Sequence, residues 1–259
     1  MEDMTQYSLR NKKYLMISIA VIIFIWQVVA IIFNNRLLLP SFFDVLKEMH
    51  RIILKDKFLL LIFNSMFRCI KSFIVSIIVS VTLGISSYFS KLIYNFLYPI
   101  TVFLKAIPTM AFIVLLLIWT SKDFAPTIIG IVISFPIFYE ATLNSLLNID
   151  EGLLHMVTIY RVSRIDKLRV IIIPVIWIQI KKILTSTISL IFKVVISGEV
   201  YSQPQYGIGS NIQFEKIQLN TAGVIAWMII IAFIVYIFDF MMDKSFNRGG
   251  NNDNKKYKF

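Results

Sequence analysis

The chain has 259 residues, 58% of them hydrophobic, with a mean hydropathy of +0.76 and a formal net charge of +11. Soluble domains use roughly 45–50% apolar residues, and a soluble fold this size could not hide so many unbroken apolar runs, so an all-α, polytopic membrane protein is expected. The runs do not alternate as transmembrane strands do, and the cations mostly flank them, which points to topology and anionic headgroups rather than nucleic acid.

A helix needs about 20 mostly apolar residues to cross a bilayer. The first such run is Tyr14 to Phe33, preceded by Arg10, Lys12 and Lys13 and closed by Asn34-Asn35-Arg36. It is too long for the apolar core of a signal peptide and reads as a retained span. After Leu39-Pro40-Ser41, residues 42 to 57 place Phe42, Val45, Leu46, Met49, Ile52 and Ile53 at helical spacing among charges, the pattern of an interfacial amphipathic helix. The second span is about Phe63 to Phe89. The third, Phe96 to Trp119, contains Pro108, and the fourth, Phe124 to Leu146, contains Pro136. Neighbouring helices can satisfy the carbonyl that an internal proline frees. A polar loop, Asp150 to Pro174, precedes the fifth span, Val170 to Val200; the sixth is Thr221 to Met242. The tail, residues 244–259, is basic and Gly/Asn-rich, and is expected to be flexible.

Six spans put both termini on one side. Arg10, Lys12 and Lys13, the loop's Arg161, Arg164, Lys167 and Arg169, and the tail's Lys244, Arg248, Lys255, Lys256 and Lys258 place both ends and the loop in the cytoplasm by the positive-inside rule. One segment disagrees: residues 36–57 would be external yet hold Arg36, Lys47, Arg51, Lys55 and Lys57.

The loop is the most informative stretch. Leu153, Met156, Val157 and Tyr160 fall at i, i+3, i+4 and i+7, one apolar stripe on a short helix. Asp150 suits its N-cap and Glu151 its first turn. Such a stripe either enters a groove on a cytoplasmic partner or lies on lipid headgroups, held by the basic residues around it; the pattern leaves both open.

The loop resembles the cytoplasmic coupling loop of permease subunits of bacterial ABC importers. Asp150, Leu153, Leu154, Ser163, Arg164, Leu168, Arg169 and the Ile171-Ile172-Ile173-Pro174 end match the nitrate/sulfonate/taurine-type branch. The most quoted positions depart: His155-Met156-Val157 stands in the Glu-Ala-Ala place and Arg161 in the Gly place. Leu39-Pro40-Ser41, Lys105-Ala106-Ile107-Pro108, Phe135-Pro136, residues 193–199, Ser202-Gln203-Pro204 and Gly207-Ile208-Gly209 resemble the same branch, in order, over nearly the whole chain.

The resemblance implies a type I importer permease fold in a bacterial plasma membrane. It implies one permease domain over residues 1–259, with the core at about 63–242. The coupling helix would comprise Leu153, Leu154, His155, Met156, Val157, Tyr160, Arg161, Ser163 and Arg164. The partners would be a cytoplasmic ATPase dimer, a second permease subunit (most simply another copy) and an external binding protein delivering a small solute: nitrate, a sulfonate, taurine or a thiamine-precursor-like pyrimidine. ATP and magnesium would belong to the ATPase, since this chain has no phosphate-binding Walker loop; no cofactor, metal or enzymatic activity is expected of the chain itself. Cys69 is its one cysteine, and His50 and His155 are isolated.

Charges inside spans are costly and usually face an interior. Lys193 and Glu199 sit in or at the end of span five. They either line the pathway or an external gate, or snorkel or pair with another span, such as Glu140 in span four. Gly207 and Gly209 belong with this gate set and read as a tight turn in an external loop. A stand-alone, ion-coupled secondary transporter is the competing function; the internal repeats such transporters often carry are not evident.

Overall fold

In the computed structural model, residues 12–35, 37–160 and 163–256 are described, and every regular element among them is helical. The helices are α1 (Lys12–Phe33), α2 (Phe42–Ile53), α3 (Phe58–Phe89), α4 (Lys91–Ala106), α5 (Thr109–Trp119), α6 (Ala125–Leu147), α7 (Glu151–Ile159), α8 (Arg164–Lys167), α9 (Ile173–Ser202), α10 (Ile208–Ile217) and α11 (Thr221–Lys256). Five are long and apolar enough to cross a membrane, and a bent pair, α4 with α5, brings the number to six. The residues group into two compact units, Met1–Phe58 with Phe214–Ile230, and Leu59–Gln213 with Ile231–Phe259.

In the first unit α2 starts on a capping box: Asp44 N–H donates to Ser41 Oγ at 3.2 Å, and Ser41 N–H to Asp44 Oδ2 at 3.3 Å. Two bonds from this corner reach α1: Trp26 Nε1 donates to Pro40 O, and Phe42 N–H to Gln27 Oε1. Glu215 is fully buried and accepts from Arg51 at 2.9 Å, Lys55 at 3.2 Å and Asn220 at 2.8 Å. The cations that conflicted with the positive-inside pattern are therefore partly committed to local ion pairs, Arg51 also meeting Glu48 at 2.6 Å.

The second unit is built around α3, α6 and α9. Ser65, Ser72, Ser76, Ser80 and Ser87 lie on one buried face of α3. Small side chains let membrane helices approach closely, and their hydroxyls bond across the interface. Ser72 donates to Thr127 O, Ser80 to Phe135 O, and Tyr139 to Ser87 Oγ, each at 2.9 Å. α6 and α9 pack along most of their length. The α9 ridge comprises Ile176, Ile180, Leu184, Ile188, Ile191 and Val195, joined to a core with Phe138 and Leu146 of α6. Steps of three and four residues keep that ridge on one side of the helix.

Three sequence expectations change. The third span is not a continuous helix: α4 and α5 meet at an angle of 108° across Ile107 and Pro108. Proline denies the preceding residue helical geometry, and Ile107 is extended, with φ −69° and ψ 128°. The fifth helix opens through a π turn, Leu168–Ile172, in which Ile173 N–H bonds Leu168 O five residues back, immediately before Pro174, which has no N–H. The last helix does not stop near Met242, where the sixth span was expected to end, but continues to Lys256. No proline interrupts it, and lengthening an existing helix is far easier than starting one.

Candidate functional site

The loop between α6 and α9 folds as α7 and α8. Asp150 Oδ1 accepts Leu153 N–H at 3.1 Å, the N-cap bond its position suggested. Ser163 caps α8 in the same way, accepting Asp166 N–H at 3.1 Å while its hydroxyl donates to Asp166 Oδ2 at 2.6 Å. Of the stripe, Leu153, Met156 and Tyr160 are exposed and Val157 is half-buried; Tyr160 is 76% exposed. His155 and Ser163 are exposed as well. The side chains of Leu154 and Arg164 and the whole of Arg161 lie outside the described residues.

The gate candidates separate. Lys193 and Glu199 are six residues apart, which at 100° per residue places them on different sides of α9. Lys193 is exposed, whereas Glu199 is fully buried. Glu199 accepts from Arg68 Nη1 at 2.9 Å, Ser65 Oγ at 2.7 Å and Gly209 N–H at 3.0 Å. The same Arg68 Nη1 donates to Tyr206 O at 2.7 Å, its Nε to Asp123 O at 3.3 Å, and its Nη2 stands 3.6 Å from Asp123 Oδ1. One charged cluster thus joins α3, the α5–α6 connection, the end of α9 and the start of α10. A buried pair persists when further hydrogen bonds satisfy both ions, and here each ion has them.

Gly207 and Gly209 serve this cluster through space, not through a turn: no glycine among the described residues has a positive φ. A Cβ on Gly209 would lie 2.5 Å from Ile196 O and 2.6 Å from Val200 N, so α10 can approach α9 only without a side chain there. A Cβ on Gly207 would stand 2.7 Å from Glu199 Oε2. The turn expected at Gly207-Ile208-Gly209 is instead the start of α10, and the left-handed residue of this connection is Gln203, with φ 49°. The pairing considered between Lys193 and Glu140 does not form, because Glu140 meets Lys105 at 2.8 Å.

Sequence reasoning missed Arg68, Ser65 and Asp123. The signal was present: Arg68, with Lys71 one turn on, is a cation within an apolar run, and Glu199 is the one anion in the fifth span, at its end. Opposite charges stranded in spans are candidates for each other. Among the described residues no group of His, Cys, Asp and Glu could hold a metal.

No curated protein matches the chain. Residues 76–248, about two thirds of its length and including the loop, α9, the glycine pair and the apolar part of α11, match the family described as binding-protein-dependent transport system inner membrane component, and the chain belongs to that family of transport permeases.

Proposed function

We propose that this chain is the membrane-spanning subunit of an ATP-driven importer and that α7 is its coupling helix. The observation that carries the reading is the exposed stripe of Leu153, Met156 and Tyr160 on a capped helix in the longest polar loop. An apolar stripe left uncovered by its own chain calls for a cover, and a groove on a soluble ATPase supplies one. Two ATPase subunits binding ATP and magnesium, a second permease chain, most simply another copy, and an external binding protein complete the assembly. Leu154, His155, Val157, Arg161, Ser163 and Arg164 flank the contact. The solute is small: nitrate, a sulfonate, taurine or a thiamine-precursor-like pyrimidine. In this reading both termini and α7 are cytoplasmic, and the chain itself holds no cofactor.

The test is co-purification with a separate ATPase and ATP-dependent uptake. Leu153→Asp and Tyr160→Asp should each abolish ATP-driven uptake and release the ATPase while the protein still inserts in the membrane. Uptake by the purified chain alone under an ion gradient, without ATP, would establish the secondary-transporter reading instead.

A further inference from the structure

One face of α9 suits neither lipid nor a packed apolar neighbour. Gln179, Lys182, Ser186, Ser189, Lys193 and Ser197 recur at intervals of three and four residues and so form a single stripe. Lys182, Ser186 and Lys193 are exposed, and the other three are partly exposed. The apolar ridge that packs on α6 lies on the other side of the helix.

The two lysines have no carboxylate within ion-pair distance among the described residues. The carboxylates on neighbouring elements have other partners: Glu140 meets Lys105, Glu199 meets Arg68, and Asp239 accepts from Ser189 Oγ at 2.6 Å. An uncompensated ammonium in the middle of a span is strongly unfavourable against hydrocarbon and marks a water-filled route. A second observation agrees. Gln179 and Lys182 share with Asn144 and Ser145 of α6, and with Asn148 just after it, a cleft of about 270 Å³, the scale of a small solute.

We propose that this stripe of α9 is the wall of the aqueous translocation pathway, and that Lys182 and Lys193 select a small anion. The proposal rests on the permease reading above and narrows its solute to one carrying negative charge. The lysines are 11 positions apart, about 16 Å along the axis, so an ion leaving one enters the field of the other.

The test uses thiol labelling of the full-length chain in membranes. Buried Cys69 is kept as an internal non-reactive thiol. Single cysteines are placed at Ser186 and Ser197 on the stripe and at Ile78, exposed on an apolar part of α3. Each is treated with an anionic and a cationic methanethiosulfonate of similar size. Ser186→Cys and Ser197→Cys should react with both, and Ile78→Cys with neither. Ser197 stands one helical turn from Lys193, about 6 Å between Cβ atoms. Coulomb's law in water at that separation gives roughly threefold for each reagent and about tenfold between them, the anion reacting faster. Lys193→Gln should abolish that preference at Ser197→Cys. Equal rates for the two reagents would overturn the anion assignment. A stripe that reacts with neither reagent would overturn the pathway. Labelling needs no ATPase, so either failure leaves ATP-coupled uptake to stand or fall by its own assay.

Discussion

Replacing Arg68 with methionine removes the one cation that meets Glu199 among the described residues and leaves the carboxylate buried with two donors, Ser65 Oγ and Gly209 N–H. Breaking a buried pair by removing one partner costs about 3–5 kcal/mol. Glu199→Gln should cost less, about 1.5–3 kcal/mol, because the new amide oxygen can still accept from Ser65 or Gly209. Arg68 in turn keeps Tyr206 O and Asp123. For a protein of this size 1 kcal/mol moves the melting temperature by about 2–4 °C, so Arg68→Met should lower it by roughly 6–20 °C. The double variant Arg68→Met/Glu199→Gln, which strands no charge, should recover part of that loss. Cys69 is the chain's one thiol and is buried, so a thiol-reactive dye in detergent reports unfolding directly. A double variant no more stable than Arg68→Met, or an Arg68→Met shift under about 2 °C, would refute the claim that the stranded carboxylate is the cost.

Gly209→Ala should give little folded protein, since its methyl would press on the backbone of α9 at Ile196 and Val200 rather than on a side chain that could swing away; expression and melting in detergent check this. Glu215→Ala should cost about 1.5–3 kcal/mol by releasing Arg51, Lys55 and Asn220, whereas Lys55→Ala, which removes one part-exposed cation, should cost under about 1 kcal/mol. The α4–α5 break should survive Pro108→Ala, because Ile113 and Leu116 of α5 stay packed with Ala125, Ile129 and Val194. Spin labels at Tyr98 and Leu115 should stay about 14 Å apart for a bend of 108°, where a straight helix would give about 25 Å; the longer distance would show that the proline alone holds the bend.

Apolar run length was enough to locate the membrane-capable helices, because a bilayer imposes a length on any helix that crosses it. It could not find the break at Ile107, since hydropathy does not register geometry and a proline inside a span can be accommodated: Pro136 sits inside α6 without ending it. The α7 stripe was legible because helical periodicity is local. The Arg68–Glu199 cluster was not, since its members are 131 positions apart and no periodicity links separate helices. Gly207 and Gly209 were legible as important and misread as to why: sequence shows that a glycine is present, and only packing shows whether it serves a turn or a close approach.

The features that matter most share one helix. α9 follows directly from the loop that holds α7, carries Lys182 and Lys193 along its length, and ends at the charge cluster around Glu199. Thirty residues of helix extend about 45 Å, and a helix packed along α6 moves as a body more readily than it bends. The π turn and Pro174 at its entry are the places where the backbone bonding of that rod is weakest. If α7 is the coupling helix proposed above, a push received there is either absorbed at residues 168–174 or delivered to the whole polar face together. Restoring a regular turn there, by Pro174→Ala, discriminates the two. If the turn is a joint, stiffening it should alter ATP-coupled uptake while leaving thiol accessibility at Ser186→Cys unchanged at rest. If the rod already moves as one piece, both readouts should match the parent.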